Sequence, residues 1–300
     1  MIDILKMLRP SHETRKKRAV VRIQEDRKYL LTPKSGFFVR EAYKILRSNV
    51  SFSLTGEESS KVILVTSSLQ SEGKSITAVN LAISYAQTDR RVLLIDCDLR
   101  RPKLARLLQV KNRVGLSNAL LDRTLLKEAL ISSGLPNLDM ILSGDIPPNP
   151  SELLSSPRMV DLLDELKQQY DLIILDTPPI NMVVDAVVLS PLTDGVVFIV
   201  RANHTERGAV IYAVEQLEHA KAKILGFVLN DVSLESTNYG YDRHRYRRYR
   251  SYYRYSYGGY GGYGYGGHAG YGGYIGYNSY GYNYGYNSGQ FIPQEENEQQ

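Results

Sequence analysis

Residues 62–80 read VILVTSSLQSEGKSITAVN. Val62-Ile63-Leu64-Val65 is a short apolar, largely β-branched run, the kind that forms a strand buried on both faces of a parallel sheet. It breaks at Thr66-Ser67-Ser68 and reaches Gly73-Lys74-Ser75, after which small and apolar residues recur at helical spacing to Ala86. Strand, small-residue loop, Gly-Lys-Ser and helix is the context a phosphate-binding loop requires. Consecutive backbone N–H groups and the positive end of the new helix favour a multiply charged anion. Lys74 would then reach the β- and γ-phosphates, and the Ser75 hydroxyl would ligate Mg²⁺. The usual pattern has glycine where Ser68 stands, so taken alone the stretch also reads as an ordinary strand and helix with an exposed lysine. Two later segments decide between these readings.

Arg91-Val92-Leu93-Leu94-Ile95-Asp96-Cys97-Asp98 is a second buried strand, ending in two carboxylates two positions apart. If the extended conformation continued, both side chains would point the same way. Residues 170–179, YDLIILDTPP, form another apolar strand ending in Asp176, which has the form of a Walker B acid. A lone strand-end Asp before proline is often only a turn former. Three apolar strands, each delivering the expected polar group in the expected order, make a magnesium-nucleotide site. Phosphoryl transfer asks little more of a protein than Mg²⁺ on the phosphates, a lysine, and a carboxylate for the nucleophile's proton.

The remaining chain organises around that sheet. Residues 1–34 read as a basic, loosely packed arm. Residues 40–52 have helical periodicity, with Ala42, Ile45, Leu46 and Asn49 on one side and Glu41, Lys44 and Arg47 in a slanting row on the other. A helical stretch is expected over 116–131 and a strand near 138–142. A loop follows, and then a helix from Asn149-Pro150-Ser151-Glu152 (N-cap, proline at the first helical position, glutamate after it) to about 169. A strand over 195–200, a helix over 206–220 and a strand over 224–229 complete the pattern. Alternating strands and helices imply an α/β fold, with a mostly parallel sheet covered on both faces and ligands at the carboxyl ends of its strands.

Three hundred residues suit one α/β domain with appendages. A single cysteine, Cys97, excludes a disulfide framework and fits a reducing cytoplasm. No apolar run approaches the roughly 18 residues needed to span a bilayer, so a soluble protein is expected. The net charge of +5 comes mainly from Arg15-Lys16-Lys17-Arg18 and from six arginines between Arg243 and Arg254. After about Asp231 the composition changes. The segment 238–290 holds eighteen of the 23 tyrosines, mixed with glycine, asparagine and arginine. Without aliphatic surface to offset its ordering entropy, 238–300 is expected to be disordered, leaving 35–237 as the folded domain.

Leu93-Leu94-Ile95-Asp96-Cys97-Asp98-Leu99-Arg100 resembles the Walker A′ motif of bacterial tyrosine kinases, P-loop proteins related to the MinD/ParA ATPases. The same family is resembled by Pro33-Lys34-Ser35 with residues 41–49, by Asn149-Pro150-Ser151-Glu152-Leu153-Leu154, by Asp176-Thr177-Pro178-Pro179 with Asp185, and by the tyrosine-rich C-terminus. The likeness implies a P-loop NTPase three-layer sandwich that transfers phosphate from ATP to protein tyrosine. It implies Lys74, Asp96 and Asp98 as catalytic residues, with Asp96 the general base. Ser68, Glu72, Gly73, Lys74, Ser75, Ile76 and Asn230 would bind the nucleotide, and Ser75, Asp98 and Asp176 the Mg²⁺. Glu41, Lys44 and Arg47 stand where the family's ring-forming oligomerisation motif lies, with lysine in place of the motif's arginine at 44. Tyr252, Tyr253, Tyr255, Tyr257, Tyr260, Tyr263 and Tyr265 are the candidate autophosphorylation sites.

The absence of membrane spans resembles the cytoplasmic, split type of the family. That implies peripheral recruitment to the inner face of the membrane by a membrane-anchored activator of the polysaccharide co-polymerase type, a cognate tyrosine phosphatase, protein tyrosine substrates, and a role in capsule or exopolysaccharide production. A MinD/ParA-like ATPase switch would instead have a lysine near Ser67-Ser68 and no reason for the tail. A nucleic-acid-binding protein would explain the Arg/Tyr/Gly tail and leave the nucleotide site idle.

Overall fold

The computed structural model describes residues 26–54, 60–111 and 113–232. The basic run at 15–18, the tail at 238–300 and its seven candidate tyrosines lie outside the described residues. Seven strands form one sheet in the order β3-β4-β2-β5-β1-β6-β7. In chain order they are β1 Lys61–Ser67, β2 Val92–Asp96, β3 Leu130–Ser132, β4 Leu138–Ile141, β5 Leu172–Asp176, β6 Gly195–Arg201 and β7 Ile224–Asn230. Every neighbouring pair is parallel except β3 with β4.

The helices are α1 Phe37–Ser53, α2 Lys74–Ala86, α3 Leu104–Leu108, α4 Leu116–Leu121, α5 Leu126–Ala129, α6 Pro150–Leu154, α7 Pro157–Lys167, α8 Asp185–Leu189 and α9 Arg207–His219. Strand side chains alternate between two cores, as a pleated strand requires. Val62, Leu64, Leu93, Ile95, Ile173 and Leu175 pack with α4 to α9, while Ile63, Val65, Val92, Leu94, Leu172 and Ile174 pack with α1, α2 and α3. This is the three-layer sandwich of P-loop NTPases. The strand order places β5 between β2 and β1, so the chain ends of β2, β5 and β1 are neighbours at the sheet's carboxyl edge. The three strand ends that carry chemistry are therefore side by side, where open α/β sheets bind ligands.

Four expectations are corrected. The helix over 116–131 divides into α4, a 3₁₀ turn at Arg123–Leu125, and α5, and its end is the edge strand β3. Asp122 stops α4 by turning its carboxylate onto the Thr124 N–H, at 3.0 Å. The helix from Asn149 divides into α6 and α7, because Pro157 excludes helical geometry at Ser156 (φ −70°, ψ 153°). Proline does stand at the start of α6, but the Asn149 side chain makes no cap hydrogen bond. Finally, α1 begins at Phe37 and turns Tyr43, Leu46 and Val50 inward; Ala42, Ile45 and Asn49 are exposed.

The described end of the arm is tied to the P-loop helix. Asn80 on α2 accepts the Leu31 N–H at 2.7 Å and donates to the Tyr29 carbonyl at 2.8 Å, and Leu31 is buried. Among the described residues, no helix is long and apolar enough to cross a membrane.

Candidate active site

After β1 the chain wraps into a loop braced by its own glutamate. Glu72 is fully buried, and its carboxylate accepts the Leu69 N–H at 2.7 Å, the Ser68 hydroxyl at 3.2 Å and the Thr205 hydroxyl. The loop's outer carbonyls are held too: Asn230 at the end of β7 donates to Glu72 O at 2.9 Å, and Arg201 at the end of β6 donates to Ser71 O at 3.2 Å. Gly73 adopts φ +94°, which favours glycine, and a Cβ there would lie 2.0 Å from Asn230 Nδ2 and displace the side chain that braces the loop. Gly73 is also the N-cap of α2, and no side chain caps that terminus. The positive end of a 13-residue helix is left for an anion.

Lys74 opens α2 and is 7% exposed. Its Nζ reaches the Leu69 carbonyl at 3.5 Å. Burial lowers its pKa to about 8, opposed by the charge of Asp176 and assisted by Lys103. Asp176 closes β5 in register with Asp96 on β2 and Val65 on β1. Burial raises Asp176 to about 7, against the Ser75 hydroxyl beside it and the charge of Lys74. Asp176 Oδ1 is buried without a hydrogen-bond partner. A buried carboxylate oxygen with nothing to hold, next to a serine hydroxyl and a third carboxylate, Asp98, is an oxygen donor set that fits Mg²⁺. Among the described residues, no three acidic, histidine or cysteine side chains form a ready-made cage.

Asp96 is buried, and its oxygens accept the Asp98 N–H at 3.1 Å and the Leu104 N–H at 3.3 Å. Burial, then Asp176 and Asp98, push its proton affinity well up. The extended run does not continue past Asp96. The chain turns, with Asp98 Oδ1 accepting the Arg101 N–H at 3.0 Å, and Asp98 emerges half-buried while Asp96 stays inside.

The structure thus gathers Ser68, Glu72, Gly73, Lys74, Ser75, Ile76, Asn230, Asp96, Asp98 and Asp176 around one sheet edge. Glu72 is there as the loop's internal brace rather than as a free side chain. The row on α1 is not uniform. Lys44 pairs with Glu41 at 2.8 Å on the surface, but Arg47 turns inward to the Ser84 carbonyl of α2. Arg201, Thr205 and Lys103 escaped the sequence reading. Their only signal was position, just after a strand end or after the Walker A′ stretch.

Residues 60–225 match the AAA domain family. Tyrosine-protein kinase YwqD of Bacillus subtilis (strain 168) is 39% identical over 235 residues, spanning 78% of this chain and 95% of that protein. Among solved structures, the chimerical protein CapA2B2 is 37% identical with a TM-score of 0.63, covering 67% of this chain and 87% of that one. The kinase domain of Escherichia coli tyrosine kinase ETK is 34% identical with a TM-score of 0.61, covering 65% and 78%.

Proposed function

Since the chain belongs to the bacterial tyrosine kinases, we propose that it transfers the γ-phosphoryl group of ATP to tyrosine hydroxyls, its own C-terminal cluster among them. The observation that carries this reading is the convergence of Asp96 and Asp176, at the ends of adjacent parallel strands, with Lys74 at the start of the helix that follows the neighbouring strand β1. The loop 68–76 and Asn230 bind the nucleotide phosphates. Ser75, Asp98 and Asp176 hold Mg²⁺, which when bound neutralises charge on the phosphates. Lys74, half ready to lose its proton at about pH 8 in the protein alone, becomes fully cationic beside a polyphosphate.

Asp96 is the proton acceptor for tyrosine. Its two backbone bonds leave two of roughly four lone-pair positions free. Its raised proton affinity suits a base that must take a proton from a phenol of pKa about 10. The α1 row Glu41, Lys44 and Arg47 makes the contact between subunits of a ring, Glu41 and Lys44 facing the neighbour and Arg47 holding α1 to α2 behind them. In that ring one protomer phosphorylates its neighbour's tail at tyrosines such as Tyr252, Tyr253, Tyr255, Tyr257, Tyr260, Tyr263 and Tyr265.

The physiological setting follows the family resemblance. The protein acts in the cytoplasm at the inner face of the membrane, recruited by an activator of the polysaccharide co-polymerase type and reversed by a tyrosine phosphatase, in capsule or exopolysaccharide production. Labelling the purified protein with γ-³²P-ATP and Mg²⁺, followed by acid hydrolysis, tests the chemistry. Label in phosphotyrosine is expected; label only in free phosphate would make it an ATPase switch.

A further inference from the structure

Two residues in the sequence motifs, Ser151 in the α6 helix start and Asp185 after the Walker B strand, take no part in the site described above. Both meet Arg100. Its Nε and a terminal nitrogen grip the two Asp185 oxygens at 2.9 and 3.0 Å, and the same nitrogen donates to Ser151 Oγ at 2.7 Å. The Ser151 hydroxyl in turn donates to Asp185 Oδ1 at 2.9 Å. The Asp185 side chain is fully buried, whereas Arg100 is 37% exposed.

Arg100 lies inside the turn that presents Asp98. That turn begins where the Asp98 N–H binds Asp96 Oδ1 and ends where the Arg101 N–H closes onto Asp98 Oδ1 at 3.0 Å. Asp98 itself is half-buried, and its carboxylate is held by the N–H that closes the turn, so the turn sets the direction of that carboxylate. The turn has two anchors: Asp96 at its start, and the Arg100 fork in its middle. A bidentate Arg–carboxylate pair fixes orientation as well as distance, which a point charge does not.

We propose that Arg100, clamped by Asp185 and Ser151, is a positioning residue that aims Asp98 at the magnesium of the bound nucleotide. The clamp ties the loop after β2 to the helices α6 and α8, and α8 follows the Asp176 strand. The two carboxylate-bearing strand ends are thus held in one spacing. The proposal rests on the magnesium-nucleotide reading of the site.

The test measures binding of the fluorescent nucleotide mant-ADP to the full chain, in EDTA and in MgCl₂. A single Arg100→Ala change would leave the Asp185 charge buried without a partner and endanger folding. The informative variants are Arg100→Lys, which keeps the charge but loses the fork, and the paired Arg100→Met/Asp185→Asn, which removes the charges together. Replacing partners outside a metal's own ligands typically costs about 10–100-fold in metal affinity. The gain in mant-ADP affinity that Mg²⁺ confers on the wild type should fall at least about 10-fold in both variants, with affinity in EDTA within about twofold of wild type. An ion pair that only stabilises the fold would not alter that ratio. An unchanged magnesium gain, or an equal loss in EDTA and Mg²⁺, overturns the proposal. A wild type with no magnesium gain at all overturns the reading of the site beneath it.

Discussion

Asp96 and Asp176 stand directly opposite one another at the ends of adjacent parallel strands, paired in the β2–β5 register. Both are buried, and each is held above the usual carboxylate range, chiefly by burial and, for Asp96, by the charge of Asp176. Lys74 and Lys103 work against that rise at Asp176, but burial weakens Lys74. Burial thus keeps two carboxyls at this edge reluctant to ionise in the protein alone, a condition that a bound cation would relieve.

The first prediction concerns the base. Asp96→Asn keeps the side chain's shape and one of its two backbone acceptors, so the fold should survive with unchanged circular dichroism. The rate of tyrosine phosphorylation should fall by about 10²–10⁴-fold, the usual cost of losing a positioned base. Near-normal rates would remove Asp96 from the role.

The acid pair also predicts a pH signature in protein freed of metal and nucleotide. Asp176 binds its proton up to about pH 7 when folded and only to about 3.8 when unfolded. Its contribution to stability is full below the unfolded value and is lost as pH rises through the folded one. Asp176→Asn should therefore raise the melting temperature at pH 8. Each tenfold change in proton affinity is worth about 1.4 kcal/mol, and each kcal/mol moves the melting point by about 2–4 °C in a domain this size, so a gain of at least roughly 3 °C is expected. The gap should close near pH 4. Equal melting at pH 8, or a gap that widens in acid, contradicts the assignment.

Assembly through α1 is best tested at its two surface members. Exchanging their charges, Glu41→Lys with Lys44→Glu, preserves their mutual pair but inverts what a neighbour meets. Light scattering at matched concentration should show monomers in place of oligomers. Arg47→Glu should also destabilise the protomer, by about 1.5–3 kcal/mol, because the guanidinium holds the Ser84 carbonyl. An unchanged mass in the exchanged pair would make the row a solvated face.

Transfer between chains is tested by mixing two proteins, each lacking what the other has. Lys74→Met protein keeps its tail but lacks the phosphate-binding lysine; active protein cut at Ser236 lacks the tail. Phosphotyrosine should accumulate on the longer chain. If intact wild type labels itself while the mixture stays blank, each chain modifies only its own tail.

What the sequence disclosed was the chemistry carried by local runs. Val62 to Ser75, Val92 to Asp98 and Leu172 to Asp176 each combine an apolar strand with a polar ending, and all three lie where that pattern predicts. Strand β3 was hidden because its three residues are defined by pairing with β4 rather than by their own periodicity. The break between α6 and α7 was legible in Ser156-Pro157 but was outweighed by the apolar spacing on either side. The inward bond of Arg47 was not legible because its partner, Ser84, lies 37 residues away on α2, and helical spacing alone does not record such a partner. Two braces on the phosphate loop, Arg201 and Thr205, lie some 130 residues away in the chain and are brought there only because β6 pairs with β1.

The kinase reading depends on one nucleotide site, built on Lys74, phosphorylating tyrosine. The decisive quantity is the initial rate of phosphotyrosine formation in purified protein given Mg²⁺ and ATP, detected by an anti-phosphotyrosine antibody, for wild type and Lys74→Met side by side. Wild type should give a time-dependent signal and Lys74→Met at least about a 100-fold lower rate, with both proteins equally folded. Equal signal in the two, or ATP hydrolysis in wild type with no phosphotyrosine, would refute the kinase reading.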